Sequence, residues 1–220
     1  MIHCICLKFG TKYSPEYVDK LFRGITRNTS KEFLFTCFTD NSSGILEAPN
    51  INTAPLPLDT GDWFSKIGLY AADLYDPVDQ IFYFDLDTVI VGDLDRIFEY
   101  SGDFIILRDP YNKHRYGSGL MSWRPHAVNH MFKNFTRGYT NRRGDQGWCE
   151  EQYPNADIWQ EKYPNMIISY KVHIKGSGAI HNSNWPQHYG TLDTASIVYF
   201  HGRPMPHEVA HLPWMRTHWT

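Results

Sequence analysis

Residues 82 to 91 read Phe-Tyr-Phe-Asp-Leu-Asp-Thr-Val-Ile-Val. Large apolar residues run into two carboxylates one residue apart and resume beyond them. Such a run suits a strand covered on both faces, where a carboxylate has no place unless the strand ends there. Asp85 and Asp87 are therefore expected at the carboxyl end of a central strand. That position lies on the rim of an open α/β sheet, where such sheets bind ligands. In extended chain, residues two apart project to the same side. Two carboxylates about 7 Å apart along a strand repel unless a cation joins them. Hard oxygen donors suit Mg²⁺ or Mn²⁺. The alternative is a solvated turn, because an Asp-x-Asp alone is a weak signal.

The flanking chain alternates strand and helix patterns. His3 to Phe9 reads as a strand. Ser14 and Pro15 offer a cap and a first-turn proline to a helix carrying Tyr17, Val18, Leu21, Phe22 and Ile25. Glu32 to Thr39 is a second strand, closed by the loop Asp40 to Gly44. Ile51 to Leu58 holds Pro55 and Pro57 and is at best a short edge strand. Asp62 can cap a helix carrying Phe64, Ile67, Tyr70, Ala71 and Leu74. This order predicts βαβ units and a mostly parallel, Rossmann-like sheet flanked by helices.

Beyond the central run, Gly92-Asp93 starts a short helix with Leu94, Ile97 and Phe98, and Asp103 to Leu107 is a strand. Gly117-Ser118-Gly119 leads into a strand from Leu120 to Trp123. Pro125 opens a helix with Val128, Met131, Phe132 and Phe135, and Asp145 to Gln152 is a further helix. Met166 to Ile174 reads as a strand broken by Gly176-Ser177-Gly178. Ser196 to Phe200 is the last strand, and the proline-rich tail reads as irregular.

The chain has 220 residues, 42% of them hydrophobic and 20% charged. Those proportions predict one globular domain over 1–220 rather than disorder. A net charge of −3 carries no signal for a nucleic-acid partner. No apolar run reaches a membrane span, and Ile2 to Phe9 lacks the charged start of a signal peptide. A cytoplasmic protein is expected. Cys4, Cys6, Cys37 and Cys149 form no Cys-x-x-Cys pair and read as buried thiols.

Three families share motifs with this chain. Asp85, Asp87 and Val89 match the nucleophile motif of the haloacid-dehalogenase Mg²⁺ phosphohydrolases. There the motif normally lies on the first core strand, whereas two or three strands precede it here. His207-Glu208-Val209-Ala210-His211 matches the zinc-protease motif, which needs both histidines on one helical face. Pro206 and Pro213 leave little room for that helix, so a chance match is expected.

Five motifs, in order and rough spacing, resemble the GT-A glycosyltransferases of the glycogenin and lipopolysaccharide-galactosyltransferase family. They are Lys66, Asp85-Leu86-Asp87, Ser118-Gly119-Leu120-Met121, Asp145-Gln146-Gly147 and His201-Gly202-Arg203-Pro204. One departure is plain: Met205 stands where the family's late motif has lysine.

The resemblance implies transfer of a hexose from a nucleoside-diphosphate donor, UDP-linked, to a hydroxyl acceptor such as a glycan, with retention at the anomeric carbon. It implies Mn²⁺ or Mg²⁺ held by Asp85, Asp87 and His201. It also implies donor contacts from Lys66, Asp85 and Ser118, with Arg203 able to stand in for the missing lysine, transfer chemistry at Asp145 and Gln146, and a nucleotide-sugar-binding half over about 1–100 followed by an acceptor-binding half over about 101–220 that carries the closing metal ligand. The loop Lys8-Phe9-Gly10-Thr11-Lys12-Tyr13 lies at the same rim and is expected to meet the nucleotide. Within it, Lys8, Thr11 and Tyr13 are candidate contacts, Phe9 or Tyr13 could stack on the base, and Asp40 could accept a base or ribose hydrogen bond. Trp123, Trp148, Trp185 and Trp214 are candidate stacking surfaces for the acceptor. A non-catalytic sugar-nucleotide-binding module is the remaining alternative, and intact Asp85, Asp87 and His201 argue against it.

Overall fold

The computed structural model describes residues 1–77, 79–176 and 190–220. The strands are β1 (Ile2–Lys8), β2 (Phe33–Thr39), β3 (Ile51–Ala54), β4 (Gln80–Phe84), β5 (Thr88–Ile90), β6 (Phe104–Arg108), β7 (Tyr116–Trp123), β8 (Asp157–Ile158), β9 (Ile167–Ser169) and β10 (Ile197–Tyr199). The α-helices are α1 (Pro15–Arg27), α2 (Pro125–Lys133), α3 (Asp145–Gln152), α4 (Trp159–Lys162) and α5 (Pro213–His218).

Seven strands form one sheet in the order β3-β2-β1-β4-β7-β6-β8. Every neighbouring pair is parallel except the two made by β7, which runs against β4 and β6. The sheet is mostly parallel, as the alternation of elements predicts. Strand order reverses between β1 and β4, and a sheet of this kind opens a crevice at that point.

Both faces of the sheet are covered, which explains the unbroken apolar runs. Cys4, Cys6, Phe82 and Phe84 point to one core with Val18, Leu21 and Ile25 of α1. Ile5, Leu7, Ile81 and Tyr83 point to the other, with Ile67 and Tyr70 from the segment before β4. Burial of each large side chain contributes about 1.5–3 kcal/mol. The four cysteines are free and buried.

The 82–91 run is two strands rather than one. Phe84 ends β4, and a turn closes with Thr88 N–H donating to the Asp85 carbonyl at 3.0 Å. β5 then joins a second sheet, β5-β10-β9, antiparallel to β10. Val89 and Ile90 are as buried as Phe84, so apolarity alone could not reveal the break.

Other expectations change in detail. Ser14 precedes α1 without a side-chain cap bond. Asp62 caps as expected, accepting from Phe64 N–H at 2.9 Å, but the helix it opens is 3₁₀, Trp63–Tyr70 followed by Ala72–Leu74. Gly92-Asp93 leads only to a 3₁₀ turn, Ile97–Glu99. The strand read from Met166 stops at Ser169, whose Oγ accepts from Val172 N–H at 3.2 Å and opens a π-helical turn, Tyr170–Ile174. Ser177 and Gly178 of the expected break lie outside the described residues. The tail is not irregular: it forms a 3₁₀ turn, Pro206–Val209, and α5. Prolines there occupy first turns, where no N–H is needed. β8 and α4 are too short to leave a periodic signal.

Candidate active site

A cleft of about 590 Å³ opens over the carboxyl ends of β1 and β4. Its lining includes Tyr13, Lys66, Asp85, Asp87, Ser118, Gln146 and His201. Seven residues that the sequence singles out separately thus meet in one place.

The Asp85-Leu86-Asp87 turn forms its floor. Asp85 Oδ1 accepts from Lys66 Nζ at 2.8 Å and from the Tyr83 hydroxyl at 2.5 Å. Asp87 Oδ2 accepts from the Tyr13 hydroxyl at 2.8 Å. The other oxygen of each carboxylate has no hydrogen-bond partner among the described residues. Burial, and then the charge of Asp85, push the Asp87 pKa up to about 7, against the Tyr13 hydrogen bond and the charges of Lys12 and Lys66. Burial and the same carboxylates raise the Tyr13 pKa, so its hydroxyl keeps its proton.

Lys66 lies beneath the turn. Its ammonium also meets Asp145 Oδ2 at 3.5 Å and Ser118 Oγ at 3.3 Å. Burial lowers its pKa, but Asp145 and Asp85 more than reverse that, and the net shift is upward. One buried cation therefore joins the carboxylate turn to the start of α3. Ser118 and Gly119 approach because pairing of β6 with β7 shifts register between Ile106 and Leu107, a bulge of the kind that re-aims side chains. The Gly119 carbonyl accepts from Asp85 N–H at 2.9 Å.

His201 follows β10 and lines the same cleft. Its Nε2 pairs with Ser169 Oγ at 2.8 Å, and the edge of its ring meets Tyr111 with centroids 5.4 Å apart. Burial, then Lys171, lowers its pKa to about 4, so the imidazole is neutral at pH 7. Two open carboxylate oxygens and a neutral imidazole lining the same cleft suit Mg²⁺ or Mn²⁺ in donor type. The three are not preassembled: among the described residues no group of three or more His, Cys, Asp or Glu is arranged to hold a metal ion.

Other sequence candidates lie elsewhere. Asp40 is exposed and accepts from Gly10 N–H at 2.8 Å. It pins the loop after β1 without lining the cleft. Lys8 is buried at the end of β1 and Thr11 is exposed, and neither lines the cleft. Arg203 is exposed and pairs with Glu208. Trp123 and Trp148 are buried in the core, Trp214 packs beside Tyr170 at 6.1 Å, and Trp185 lies outside the described residues. Sequence reading missed Trp63, Arg108, Asp109 and Tyr111, all of which line the cleft. Their only prior signal is position just past a strand or just before a helix.

The first histidine and the glutamate of the protease-like motif are engaged with other parts of the fold. His207 Nδ1 pairs with the Tyr17 hydroxyl at 2.6 Å. Glu208 Oε2 accepts from Met205 N–H at 2.6 Å.

This sheet order, with a carboxylate turn at its switch point and a second small sheet behind it, is the GT-A glycosyltransferase fold. Similar solved structures agree. The bifunctional glycosyltransferase WbbM in its apo form shares 10% identity over 98% of this chain and 50% of its own, with a TM-score of 0.71. The galactosyltransferase LgtC, solved with donor and acceptor sugar analogues, shares 12% identity over 93% of this chain and 88% of its own, with a TM-score of 0.57. The glycosyltransferase GlyE of Streptococcus pneumoniae TIGR4 shares 10% identity over 93% of this chain and 55% of its own, with a TM-score of 0.64. The chain thus spans about half the length of the WbbM and GlyE chains. No protein-family model and no curated protein matches the sequence. These neighbours do not favour the dehalogenase reading. No helix of the described residues is long and apolar enough to cross a membrane.

Proposed function

We propose that the protein is a glycosyltransferase that moves a hexose from a UDP-linked donor to a hydroxyl of a glycan acceptor. The observation that carries this reading is the Lys66 bridge. A buried ammonium ties the carboxylate turn, Asp85, to the first residue of α3, Asp145. In this reading the phosphate-binding turn and the segment for sugar chemistry act as one unit, on a fold shared with LgtC, which has been solved with donor and acceptor sugar analogues.

In this reading Asp85 and Asp87 hold Mn²⁺ or Mg²⁺, with His201 as third donor. When bound, such a cation would supply Lewis-acid stabilisation of charge on the departing diphosphate. Tyr13 orients Asp87 through its hydroxyl, and its ring, which lines the cleft, would stack on the base. Ser118 turns its hydroxyl toward Lys66 and the donor. Asp145 and Gln146, at the start of α3, stabilise positive charge at the anomeric carbon or orient the acceptor. An active-site Gln-to-Glu variant of LgtC has been solved, which draws attention to Gln146. Retention at the anomeric carbon rests on the family resemblance. Arg203, engaged by Glu208, is given no donor role.

Calorimetry with a panel of nucleoside-diphosphate sugars, with and without Mn²⁺, tests the reading. UDP-hexose should bind only with Mn²⁺, and Asp87→Asn and His201→Ala should each abolish that binding. Asp145→Asn should keep donor affinity and lower turnover by roughly a hundredfold, with Gln146→Ala milder. Equal donor binding with and without Mn²⁺, or full binding by His201→Ala, would remove the cation site from the proposal.

A further inference from the structure

Among the described residues, large hydrophobic side chains are exposed at four positions: Met1, Leu34, Trp63 and Tyr111. Two of the four, Trp63 and Tyr111, line the cleft. The contrast within one residue type is sharper. Trp123, Trp148, Trp159 and Trp219 are buried and Trp214 is half-buried, whereas Trp63 is 55% exposed. Burying an indole is strongly favourable, and an exposed indole and an exposed phenol lining one cleft together offer apolar surface that a bound ligand would cover.

Both aromatic residues are fixed from behind. Trp63 follows Asp62, whose Oδ1 accepts from Phe64 N–H at 2.9 Å and from Thr60 Oγ1 at 2.7 Å. Its indole lies against Gly144, where any Cβ would run into Nε1 and Cδ1. Gly144 has φ +62°, a left-handed conformation that glycine adopts without strain. It immediately precedes Asp145 and Gln146. Tyr111 sits on a turn held by Asp109 Oδ1, which accepts from Tyr111 N–H at 2.8 Å and Asn112 N–H at 3.1 Å. Asp109 Oδ2 lies 3.6 Å from Arg143 Nη1, and Arg143 Nη2 reaches Gln146 Oε1 at 3.4 Å. Both platforms are thus anchored to the segment that carries Asp145 and Gln146.

We propose that Trp63 and Tyr111 form an aromatic clamp for the acceptor, and that the acceptor is a saccharide presenting the C–H face of a pyranose ring. The axial C–H bonds of such a face are apolar and slightly positive. They complement the negative face of an indole or phenol ring, while the ring hydroxyls stay free to hydrogen-bond. Rigid aromatic anchors lose little conformational entropy on binding. This inference rests on the transferase reading for the saccharide's role as acceptor. A nucleobase is the other flat partner for such rings, but Trp63 is tied to Asp145 and Gln146 and Tyr111 to His201, rather than to the loop after β1 that carries Tyr13.

The test uses the full chain, the variants Trp63→Ala, Trp63→Phe and Tyr111→Ala, and three readouts. Saturation-transfer NMR measures binding of methyl hexopyranosides and of lactose, maltose and cellobiose without donor. Calorimetry measures UDP binding, and steady-state assays measure acceptor KM. Trp63→Ala and Tyr111→Ala should each weaken saccharide binding, and raise acceptor KM, at least tenfold, with UDP affinity unchanged within twofold. Trp63→Phe, which keeps a flat ring, should recover most of the loss. Unchanged saccharide affinity in both alanine variants overturns the clamp, as does failure of the parent to bind any saccharide of the panel. Loss of UDP affinity instead would make the rings a base platform and also overturns it. Saccharide binding that depends on Trp63, in a protein that binds no nucleoside-diphosphate sugar, would sustain the clamp and overturn the transferase reading.

Discussion

Lys66 shows how far a residue's meaning depends on its neighbours. From sequence it reads as a phosphate contact. In the fold its ammonium is buried between Asp85 and Asp145, so its first task is to let two carboxylates share a small space. Removing one partner from such a buried cluster leaves charge uncompensated and typically costs 3–5 kcal/mol. Asp85 is partly open to solvent, which reduces the figure. Lys66→Met should lower unfolding free energy by about 2–3 kcal/mol in urea titrations, and a loss below about 0.5 kcal/mol would mean that the bridge is not structural. The sequence could place Lys66 one helix before the carboxylate turn, but nothing local says which acids will flank it. Trp63 escaped notice for a related reason: exposure is a property of the folded surface. The tryptophans that sequence reading favoured instead are, where described, buried or half-buried.

At the level of elements, legibility follows periodicity. β1, β2, α1 and α3 lie within a residue or two of where their patterns put them. Breaks between two buried strands are invisible, as at Asp85, and so is a strand that turns into a π-helical segment, as at Ser169. The late segment is the clearest case of a motif whose letters mislead. His207-Glu208-Val209-Ala210-His211 starts in a 3₁₀ turn where Glu208 accepts from Met205 N–H and pairs with Arg203, while His207 serves Tyr17 of α1. Its acid caps a turn and its first histidine fastens that turn to the body. Glu208→Gln should leave transfer within about threefold of the parent and cause only a small fall in melting temperature, because an amide can still accept from Met205 N–H. Elemental analysis should find no stoichiometric zinc. One tightly held zinc per chain, lost on changing His207 or His211, would restore the protease reading.

Across the molecule, burial sets the response to acid. His3, His173 and His201 all have lowered pKa values, burial being the main cause in each, with Asp79 opposing it at His3. A histidine whose folded pKa lies below its unfolded 6.5 stabilises fully above pH 6.5. That contribution is lost as pH falls through the window toward the folded value, about 4 for His201. Asp87, raised to about 7, acts oppositely: its contribution is full at low pH and is lost as pH rises from about 4 to 7. His3 is far from that carboxylate turn, at the start of β1, with Nε2 on Thr36 Oγ1 at 2.8 Å. Comparing His3→Gln with the parent therefore cancels the Asp87 effect. Urea midpoints at pH 7.5, 6 and 5 should fall less steeply for His3→Gln, and identical slopes would show that His3 carries no pH dependence.

The Asp85-Leu86-Asp87 turn is also the seam where the chain passes from the large sheet to the small one. β4 enters it, and β5 leaves it already paired with β10. Side chains alternate along a strand, so one residue added or removed there would shift the pairing of Thr88, Val89 and Ile90 with β10 and swap the faces of the sheet on which these buried side chains pack. The length of this turn is thus counted twice, once by the ligand it presents and once by the register of everything after it. Substitutions can retune the cleft, but an insertion or deletion at the seam would scramble the interior in the same stroke. The turn is therefore constrained in its length as firmly as in its two carboxylates.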